Sequence, residues 1–474
     1  MSPQWLPVAD LAAHVQSKQT SAAELVERSL KIIEEHKDYQ AIIATLADRA
    51  RERAKQIDDD VATGKLVGRL AGVPFIAKDN FLVFGAETTA ASNILRGFSA
   101  PYQATAIMKL EAEGAICVAK ANLDAFAHGA STENSDFFTT KNAHDKTRVP
   151  GGSSGGSATA VALEMAPFAI GTDTGGSIRQ PSSFSGCVGF KPTYGLVSRS
   201  GVVAMASSTD VIGPLARTVT DVALVLDVMA GKDKLDATTI DRQPDYTALA
   251  GDLTGKKVGV IKEYMGEGLD ESVRTVIEAS IEKLKTAGAE ISEISIPSIG
   301  MALAVYYILC PAEVSSNLSR YDGQRYGFSD QDVTDLEASY KNSRGKGFGK
   351  EAKRRIMIGT YVLSSGYYDA YYKKAQTVRT KLIEEFKKAF EDVDCLIGPV
   401  APTTAFEIGK NTNDPLQMYL CDVMTVAANI VGNPSVSLPA GIAENLPVGL
   451  QLMAPMRKDK ELLALAHATE EILI

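Results

Sequence analysis

Two loops rich in glycine and serine lie inside an apolar stretch of the chain, and they restrict the possible folds more than any other feature. The first is GGSSGGSA, residues 151–158, and the second is GTDTGGSIRQP, residues 171–181. The segment ATAVALEMAPFAIG between them is too apolar for a flexible linker. Glycine allows backbone conformations and close approaches that other residues do not. We therefore predict that both loops belong to the core and lie against a functional site.

The segments on either side alternate between strand and helix patterns. AGVPFIAKDNF has the pattern of a buried strand, and ATAIMKLEAEGAICVAKAN predicts a helix followed by a strand. GKKVGVIKE, DESVRTVIEASIEKLKTAG and AEISEISIP predict a strand–helix–strand unit. This alternation predicts an α/β protein with a mainly parallel or mixed sheet.

Near the N-terminus, two segments have helical periodicity. These are SAAELVERSLKIIEEHKD, with Ser21 and Glu24 as a capping box, and YQAIIATLADRARERAKQID. No shift of composition marks a domain boundary, so we predict one domain over residues 1–474. A segment rich in Tyr, Lys and Arg predicts a helical insertion at 320–375.

Composition excludes several classes of function. The net charge of −9 argues against a broad phosphate-binding face, so any RNA would be held by a partner. We find no apolar run of membrane-spanning length, no signal-peptide pattern and no contact with a membrane, and we expect a cytoplasmic protein. The five cysteines are scattered without C-x-x-C spacing, which predicts reduced, buried thiols and no metal site.

Known loop motifs explain the two clusters poorly. GGSSG at 151–155 matches the G-x-S-x-G nucleophile elbow, but that chemistry needs a downstream histidine. Only His467 follows, in a segment that looks helical. No G-x-x-x-x-G-K-[ST] phosphate loop is present.

A lysine also accepts a serine's proton if burial keeps its amine neutral, which means lowering its pKa from about 10 to about 7. Lys78 follows the apolar run VPFIA and is the candidate; the alternative is a buried ion pair of Lys78 with Asp79 or another acid. Ser153 and Ser154 open a helix, and Ser177 ends a glycine turn whose backbone N–H groups suit an oxyanion. Tight turns with helix caps are the alternative for both clusters.

Three stretches together resemble the amidase signature family: GVPFIAKDN, GGSSGGSA and GTDTGGSIRQPSSFSGCVGFKPTYG. The resemblance implies the amidase-signature fold, a large mixed β-sheet covered by helices on both faces. It also implies a triad in which Ser177 is the nucleophile, Ser153 follows a cis peptide bond and bridges, and Lys78 is the base. The oxyanion donors would be the backbone at Thr174, Gly175 and Gly176, with Ser177 itself.

Other segments are similar to the A subunits of tRNA-dependent amidotransferases. These multi-subunit enzymes form Gln-tRNA(Gln) and Asn-tRNA(Asn). The similar segments include STENSDFFTTKNAHD, KRRIMIGTYVLSSGYYDAYYKKAQTVR and DCLIGPVAPTTAF. This similarity implies that glutamine is hydrolysed here and that ammonia passes to a partner. The implied partners are the B subunit, which binds tRNA and acts as a kinase, and the small C subunit. ATP and Mg²⁺ would be used by the partner, with no cofactor on this chain.

The same resemblance implies a glutamine pocket. Arg355 would bind the carboxylate, Asp422 the ammonium, and Tyr306, Gly129 and Ser131 would flank the substrate. The alternatives are a surface arginine, a helix-cap aspartate and a core tyrosine. Where these A subunits normally read Met-Gly-Ser-Ser-Thr-Glu, residues 128–133 are HGASTE. Two other functions stay open: a stand-alone amidase for another small amide, and a catalytically silent scaffold.

Overall fold

The computed structural model describes residues 4–412 and 414–473, and one sheet of 11 strands runs through them. The strands in chain order are β1 (Ile42–Thr45), β2 (Pro74–Lys78), β3 (Ile116–Ala121), β4 (Phe168–Asp173), β5 (Val188–Lys191), β6 (Val211–Ala216), β7 (Lys257–Ile261), β8 (Glu290–Ile294), β9 (Cys395–Pro399), β10 (Ser435–Ala443) and β11 (Leu446–Met453).

The helices follow the same numbering. They are α1 (Val8–Gln16), α2 (Ala22–Glu35), α3 (Ala47–Ala62), α4 (Thr105–Ala112), α5 (Gly155–Ala162), α6 (Arg179–Ser185), α7 (Val219–Met229), α8 (Glu271–Thr286), α9 (Ala302–Asn317), α10 (Leu336–Gly347), α11 (Lys350–Leu363), α12 (Lys374–Asp392), α13 (Pro415–Leu420), α14 (Val426–Val431) and α15 (Asp459–Leu473).

The sheet is mixed, with the order β1-β3-β2-β4-β6-β5-β10-β11-β9-β7-β8. Strands β3, β2 and β4 run parallel to one another, as do β9, β7 and β8, and the strands between these groups pair antiparallel. Every residue of β2, β3, β4, β6, β9 and β11 is buried. Strands buried along their whole length are covered on both faces, so the predicted α/β architecture is confirmed.

Where a single periodicity covers a whole segment, the sequence predicts the element correctly. Ser21 Oγ accepts from the backbone of Glu24 at 3.1 Å, and the Glu24 carboxylate accepts from the backbone of Ser21 at 3.0 Å. These two bonds form the predicted capping box at the start of α2. The predicted strand–helix–strand unit is β7, α8 and β8.

The helix predicted over YQAIIATLADRARERAKQID is wrong in its first half. Residues Ile42–Thr45 form β1, which pairs antiparallel with β3, and only Ala47–Ala62 are helical. The isoleucine pair and the threonine favour a strand, and a free edge on β3 supplies its partner. Periodicity alone therefore assigns a short apolar run to the longer helical pattern that follows it.

The helical run Ile299–Arg320, which contains α9, is long and apolar enough to cross a membrane, with a mean hydropathy of 1.4. From the sequence we expected no run of that length. Half of its most apolar window is buried inside the protein, where α9 packs against α11, α12 and α14. This is the packing of a core helix.

The segment 320–375 contains α10, α11 and a π-helix at Tyr368–Lys373, and the single-domain reading with an insertion there stays a prediction. The five cysteines are free and buried, as expected.

Candidate active site

The site forms where three parallel strands end together. Lys78 is the last residue of β2, Thr172 and Asp173 end β4, and Asp124 follows β3 by three residues. Because β3, β2 and β4 are parallel neighbours, their carboxyl ends meet at one edge of the sheet. Ligands of α/β proteins commonly bind beyond that edge.

The Lys78 amine is surrounded by hydroxyls. Its Nζ lies within hydrogen-bond distance of Ser153 Oγ at 2.7 Å, Ser154 Oγ at 2.9 Å and Thr172 Oγ1 at 3.0 Å. No carboxylate of the described residues forms an ion pair with it. Asp79 pairs instead with Lys120, Nζ to Oδ1 at 2.6 Å, and both side chains are fully buried. The alternative of a Lys78–Asp79 pair is therefore wrong.

Burial sets the charge of this amine. It lowers the pKa of Lys78 to about 7, against the opposing fields of Asp124, Asp173 and Asp210. About half of the amine is then neutral at pH 7, and a neutral amine can accept a proton. The hydroxyl environment and the low pKa fit a base rather than a structural cation.

The two serine loops meet beside Lys78. The Gly152–Ser153 peptide bond is cis, and the N–H of Ser154 donates to the carbonyl of Ser177 at 3.0 Å. Ser154 precedes α5, but its side chain does not cap the helix. Its hydroxyl is hydrogen-bonded instead to Lys78 Nζ and to the Thr172 carbonyl. Ser177 is 7% exposed, and its Oγ has no hydrogen bond within residues 4–412 and 414–473.

The turn before Ser177 presents unpaired backbone donors. The carbonyls of Gly175, Gly176 and Ser177 accept from Thr425 Oγ1 at 2.6 Å, Gln180 N at 2.8 Å and Ser154 N at 3.0 Å. Within the described part of the chain, the N–H groups of the same three residues donate to nothing. With each carbonyl turned to a protein partner, the three N–H groups remain available for a bound oxyanion. Thr174 Oγ1 donates to Asp210 at 2.7 Å.

Gly176 cannot be replaced in this turn without strain. Its φ is +140°, and a Cβ at this position would lie 2.2 Å from Thr425 Oγ1. Only glycine lets the turn come so close to the segment that holds the Gly175 carbonyl.

A buried ion pair closes the turn. Arg179 donates to both carboxylate oxygens of Asp173, Nε to Oδ2 at 3.0 Å and Nη2 to Oδ1 at 2.9 Å. Burial alone would raise the pKa of Asp173, but Arg179, Lys191 and Asn429 together outweigh it and lower the pKa to about 2. Asp173 Oδ2 also accepts the N–H of Ile178 at 3.1 Å. The pair thus fixes the ends of the segment that carries the free donors.

A cavity of about 240 Å³ adjoins this centre. Its lining includes Asp124, His128, Gly129, Ser131, Tyr307 and Arg355, and we call it the Arg355 cavity. Arg355 is 2% exposed; its Nε donates to Glu351 at 2.9 Å, and its guanidinium carbon lies 5.3 Å from the centre of the Tyr307 ring. The alternative of a surface arginine is wrong.

Asp422 is joined to this cavity through Tyr307, whose hydroxyl donates to Asp422 Oδ2 at 2.8 Å. Burial raises the pKa of Asp422 to about 7, although Tyr307 and Arg355 oppose the rise. Tyr306 is buried against the turn at residues 175–177, where a Cβ on Gly175 would lie 2.7 Å from its ring. Tyr306 therefore touches the turn, while Tyr307 faces the cavity.

Sequence reasoning missed Asp124. This fully buried carboxyl accepts the N–H of Thr132 at 2.9 Å and of Asn134 at 3.1 Å. A Cβ on Gly152 would lie 2.1 Å from its Oδ2, so the carboxyl sits against the cis peptide. Burial raises the pKa of Asp124 to about 6. The feature of the sequence that could have identified Asp124 is its position just after the apolar strand β3, which runs parallel to β2.

The alternative of a G-x-S-x-G nucleophile served by His467 is not formed. His467 lies on α15 beside Glu470 and Glu471, at 3.8 and 3.7 Å, and none of its contacts involves a serine. Within the described residues, no group of three or more His, Cys, Asp or Glu side chains is arranged to hold a metal ion.

The chain matches the Amidase family over residues 24–463 and therefore belongs to this family of enzymes. It is 51% identical to the A subunit of glutamyl-tRNA(Gln) amidotransferase from Acaryochloris marina (strain MBIC 11017) over 459 residues, covering 96% of this chain and 95% of that protein. The corresponding protein of Caldanaerobacter subterraneus subsp. tengcongensis is 50% identical, covering 98% of this chain and 96% of that protein.

Solved structures give the same result. The crystal structure of the glutamyl-tRNA(Gln) amidotransferase A subunit from Thermotoga maritima superposes with a TM-score of 0.80 at 39% identity, covering 95% of this chain and 91% of that one. The peptide amidase from Stenotrophomonas maltophilia superposes with a TM-score of 0.82 at 29% identity, covering 98% and 96%. The predicted amidase-signature fold is confirmed.

Proposed function

We propose that this chain hydrolyses glutamine and supplies ammonia to a tRNA-dependent amidotransferase that forms Gln-tRNA(Gln), Asn-tRNA(Asn) or both. The observation that carries the proposal is the Lys78 amine, which among the described residues is bonded to hydroxyls and to no carboxylate. It lies beside a serine turn whose three backbone donors have no partner in the same part of the chain. The amidotransferase relatives near 50% identity support this function over that of a stand-alone amidase.

The first chemical step forms an ester on Ser177. Neutral Lys78 accepts the proton of Ser153, Ser153 accepts the proton of Ser177, and Ser177 Oγ attacks the side-chain amide carbon of glutamine. The oxygen of the tetrahedral intermediate takes hydrogen bonds from the N–H groups of Gly175, Gly176 and Ser177. Apo hydrogen bonds of catalytic groups are commonly long or unformed, so the unbonded Ser177 hydroxyl is compatible with this relay.

The second step releases ammonia and restores the serine. The proton held by Lys78 returns through Ser153 to the leaving nitrogen, the carbon–nitrogen bond breaks, and ammonia leaves. Water then attacks the γ-glutamyl ester on Ser177, with Lys78 and Ser153 again accepting its proton. The products are glutamate, ammonia and the free enzyme.

The charged ends of glutamine fit the groups around the Arg355 cavity. Arg355 would bind the α-carboxylate through its guanidinium fork, and ionised Asp422 would bind the α-ammonium. Gly129 and Ser131 line the same cavity, and Tyr306 packs on the nucleophile turn. These placements support the glutamine-binding roles.

We assign tRNA binding and ATP-dependent activation with Mg²⁺ to the B and C subunits, which would join this chain in a heterotrimer. The net charge of −9 supports this division of labour, because tRNA affinity rests on Lys and Arg. We propose that this chain needs no cofactor of its own and that the complex works in the cytoplasm without a membrane.

The test is to trap the ester. The chain, with any subunits that copurify, is mixed with glutamine, quenched in acid and digested for mass spectrometry. The proposal predicts one glutamyl group on the peptide containing Ser177 and none in Ser177→Ala. Ser157→Ala is the matched control and should retain the adduct. Ser157 is a buried serine on α5 whose hydroxyl, among the described residues, donates to the Ile170 carbonyl alone.

Arg355→Ala separates the rival functions. A glutaminase loses most glutamine turnover and keeps activity on small uncharged amides. An adduct on another residue, or no glutamine turnover with all subunits present, would overturn the proposal.

A further inference from the structure

A buried histidine in the wall of the Arg355 cavity has no part in the chemistry above. His128 is 0% exposed, and neither ring nitrogen has a hydrogen-bond partner within residues 4–412 and 414–473. Its backbone is held, since its carbonyl accepts from Asn134 Nδ2 at 2.8 Å. Buried polar groups in proteins are nearly always hydrogen-bonded, so an unpartnered ring in a cavity wall indicates a partner that enters with the ligand.

The His128 ring packs beside a cluster of aromatic rings. The Phe126 ring lies 6.2 Å from the His128 ring, and Phe126 packs in turn against Tyr321 at 5.4 Å and Phe348 at 5.6 Å. This aromatic cluster offers no hydrogen-bond acceptor on its ring faces comparable to a carboxylate. His128 also lines the Arg355 cavity, so a ligand bound there is the partner available to its ring nitrogens.

The charge of the ring follows from its surroundings. Burial, and then the positive charge of Arg355, lower the pKa of His128 well below its ordinary value. The imidazole is therefore neutral at pH 7, with one N–H donor and one acceptor nitrogen. The other charged side chains that line the cavity are Asp124, Glu133, Lys350, Glu351 and Arg354.

We propose that His128 is a substrate-binding residue whose ring N–H donates to the same α-carboxylate that Arg355 binds. The inference rests on the proposed function, because it takes a free α-amino acid amide as substrate. Arg355 and His128 line one cavity, so a carboxylate drawn to the guanidinium comes within reach of the ring. The α-ammonium is the poorer partner for the ring N–H, since it is itself a donor and has a proposed acceptor in Asp422.

The assignment has a consequence for specificity. A buried donor without an acceptor disfavours any ligand that cannot supply one, so His128 adds discrimination against amides that lack the carboxylate. Ala130, which lines the same cavity, supplies no hydroxyl for this purpose.

The test compares two substrates that differ only in the α-carboxylate, glutamine and 4-aminobutanamide. His128→Phe keeps a ring of similar size and removes both nitrogens. We expect kcat/KM for glutamine to fall about tenfold to a hundredfold, mostly through KM, as for the loss of a hydrogen bond to a charged group. The loss for 4-aminobutanamide should be at least about tenfold smaller. His36→Phe, at a half-buried histidine outside both serine loops, is the control for the substitution itself.

If His128→Phe folds poorly, a second variant and a measurement on the unaltered chain still test the inference. His128→Gln restores an N–H donor and should recover part of the glutamine preference. In the unaltered chain labelled with ¹⁵N-histidine, adding glutamine should shift the His128 ring signals while the ring stays neutral. Equal losses for both substrates, or ring signals that glutamine leaves unmoved, overturn the inference. Absence of any glutamine turnover in the unaltered complex would instead refute the proposed function.

Discussion

At the scale of single residues, the decisive arrangement is a lysine buried among hydroxyls next to a lysine buried against a carboxylate. Lys120 forms an ion pair with Asp79. Lys78 is hydrogen-bonded instead to the hydroxyls of Ser153, Ser154 and Thr172. Both amines are fully buried, but only Lys78 lacks a countercharge in contact. Burial without one lowers the pKa of a lysine toward neutral pH, and this supports the proposed role of Lys78 as a base.

This arrangement predicts the pH dependence of glutamine hydrolysis. Lys78 must be neutral and Asp422 must be ionised, and both groups have a pKa of about 7 in the free enzyme. Activity is therefore lost as pH falls through 7, and log kcat/KM should approach a slope of about 2 below pH 6. Steady-state rates from pH 5.5 to 8.5 measure it.

Asp422→Asn separates the two titrations. It should lower glutamine turnover at every pH and reduce the acid-limb slope to about 1, because only Lys78 then titrates. A rate that stays level down to pH 5.5 would contradict the neutral-amine mechanism.

The same amine predicts a cost in stability. The pKa of Lys78 falls from 10.5 in its ordinary state to about 7 in the fold, so between those values the unfolded chain binds one more proton. Raising the pH through this window therefore stabilises the folded protein. Relative to Lys78→Met, the free energy of unfolding of the unaltered chain should rise by about 1.4 kcal/mol per pH unit. Urea unfolding at pH 7, 8 and 9 tests this.

Lys55→Met is the control, because Lys55 is an exposed lysine paired with Asp59 on α3. Its difference from the unaltered chain should not vary over the same pH range. A constant difference for Lys78→Met as well would mean that Lys78 titrates normally in the fold.

At the scale of structural elements, the turn between β4 and α6 carries the proposed nucleophile and oxyanion donors, and the Asp173–Arg179 pair holds its two ends. Both side chains are 0% exposed, and Arg179 also donates to Gln451 at 2.6 Å and to Asn429 at 2.6 Å. The turn is thereby tied to β11 and α14 across the sheet.

Arg179→Met should destabilise the protein by about 3–5 kcal/mol, because it leaves the Asp173 carboxylate buried without its partner. We also expect kcat for glutamine to fall more than KM rises, since the loosened turn carries the oxyanion donors. Urea unfolding and steady-state kinetics measure both effects. Arg51→Met removes an exposed pair with Glu27 and should leave both quantities nearly unchanged. Similar results for the two variants would contradict this role of the pair.

How far the sequence predicts each element depends on the range of the interactions that form it. The capping box of α2 and the unit β7–α8–β8 follow from neighbours in the chain, and both were predicted. Strand β1 was not, because it exists through pairing with β3, more than 70 residues away in the sequence.

The site divides in the same way. Lys78, Ser153 and Ser177 stand in long motifs that could be recognised. Asp124 and Tyr307 owe their places to packing against Gly152 and Asp422, and no local pattern marks such contacts. The pairing of Asp79 with Lys120 rather than Lys78 is equally a property of the folded sheet.

At the scale of the whole molecule, the charge balance predicts how the work is shared. With a net charge of −9, the isolated chain should show no binding to tRNA at about 150 mM salt, because phosphate contacts need a basic face. Fluorescence anisotropy with labelled tRNA tests this. The complex recovered by tagging the chain in its own cells should bind tRNA and contain two companion subunits. Tight tRNA binding by the isolated chain would contradict the division of labour.

The protonation of the Lys78 amine tests the central claim most directly. Heteronuclear NMR of the chain labelled at lysine, with Lys78→Met to assign the signal, follows this amine as the pH is raised. We predict a titration midpoint near 7, as burial among hydroxyls requires. A Lys78 amine that stays protonated up to pH 10 would contradict the neutral-base mechanism.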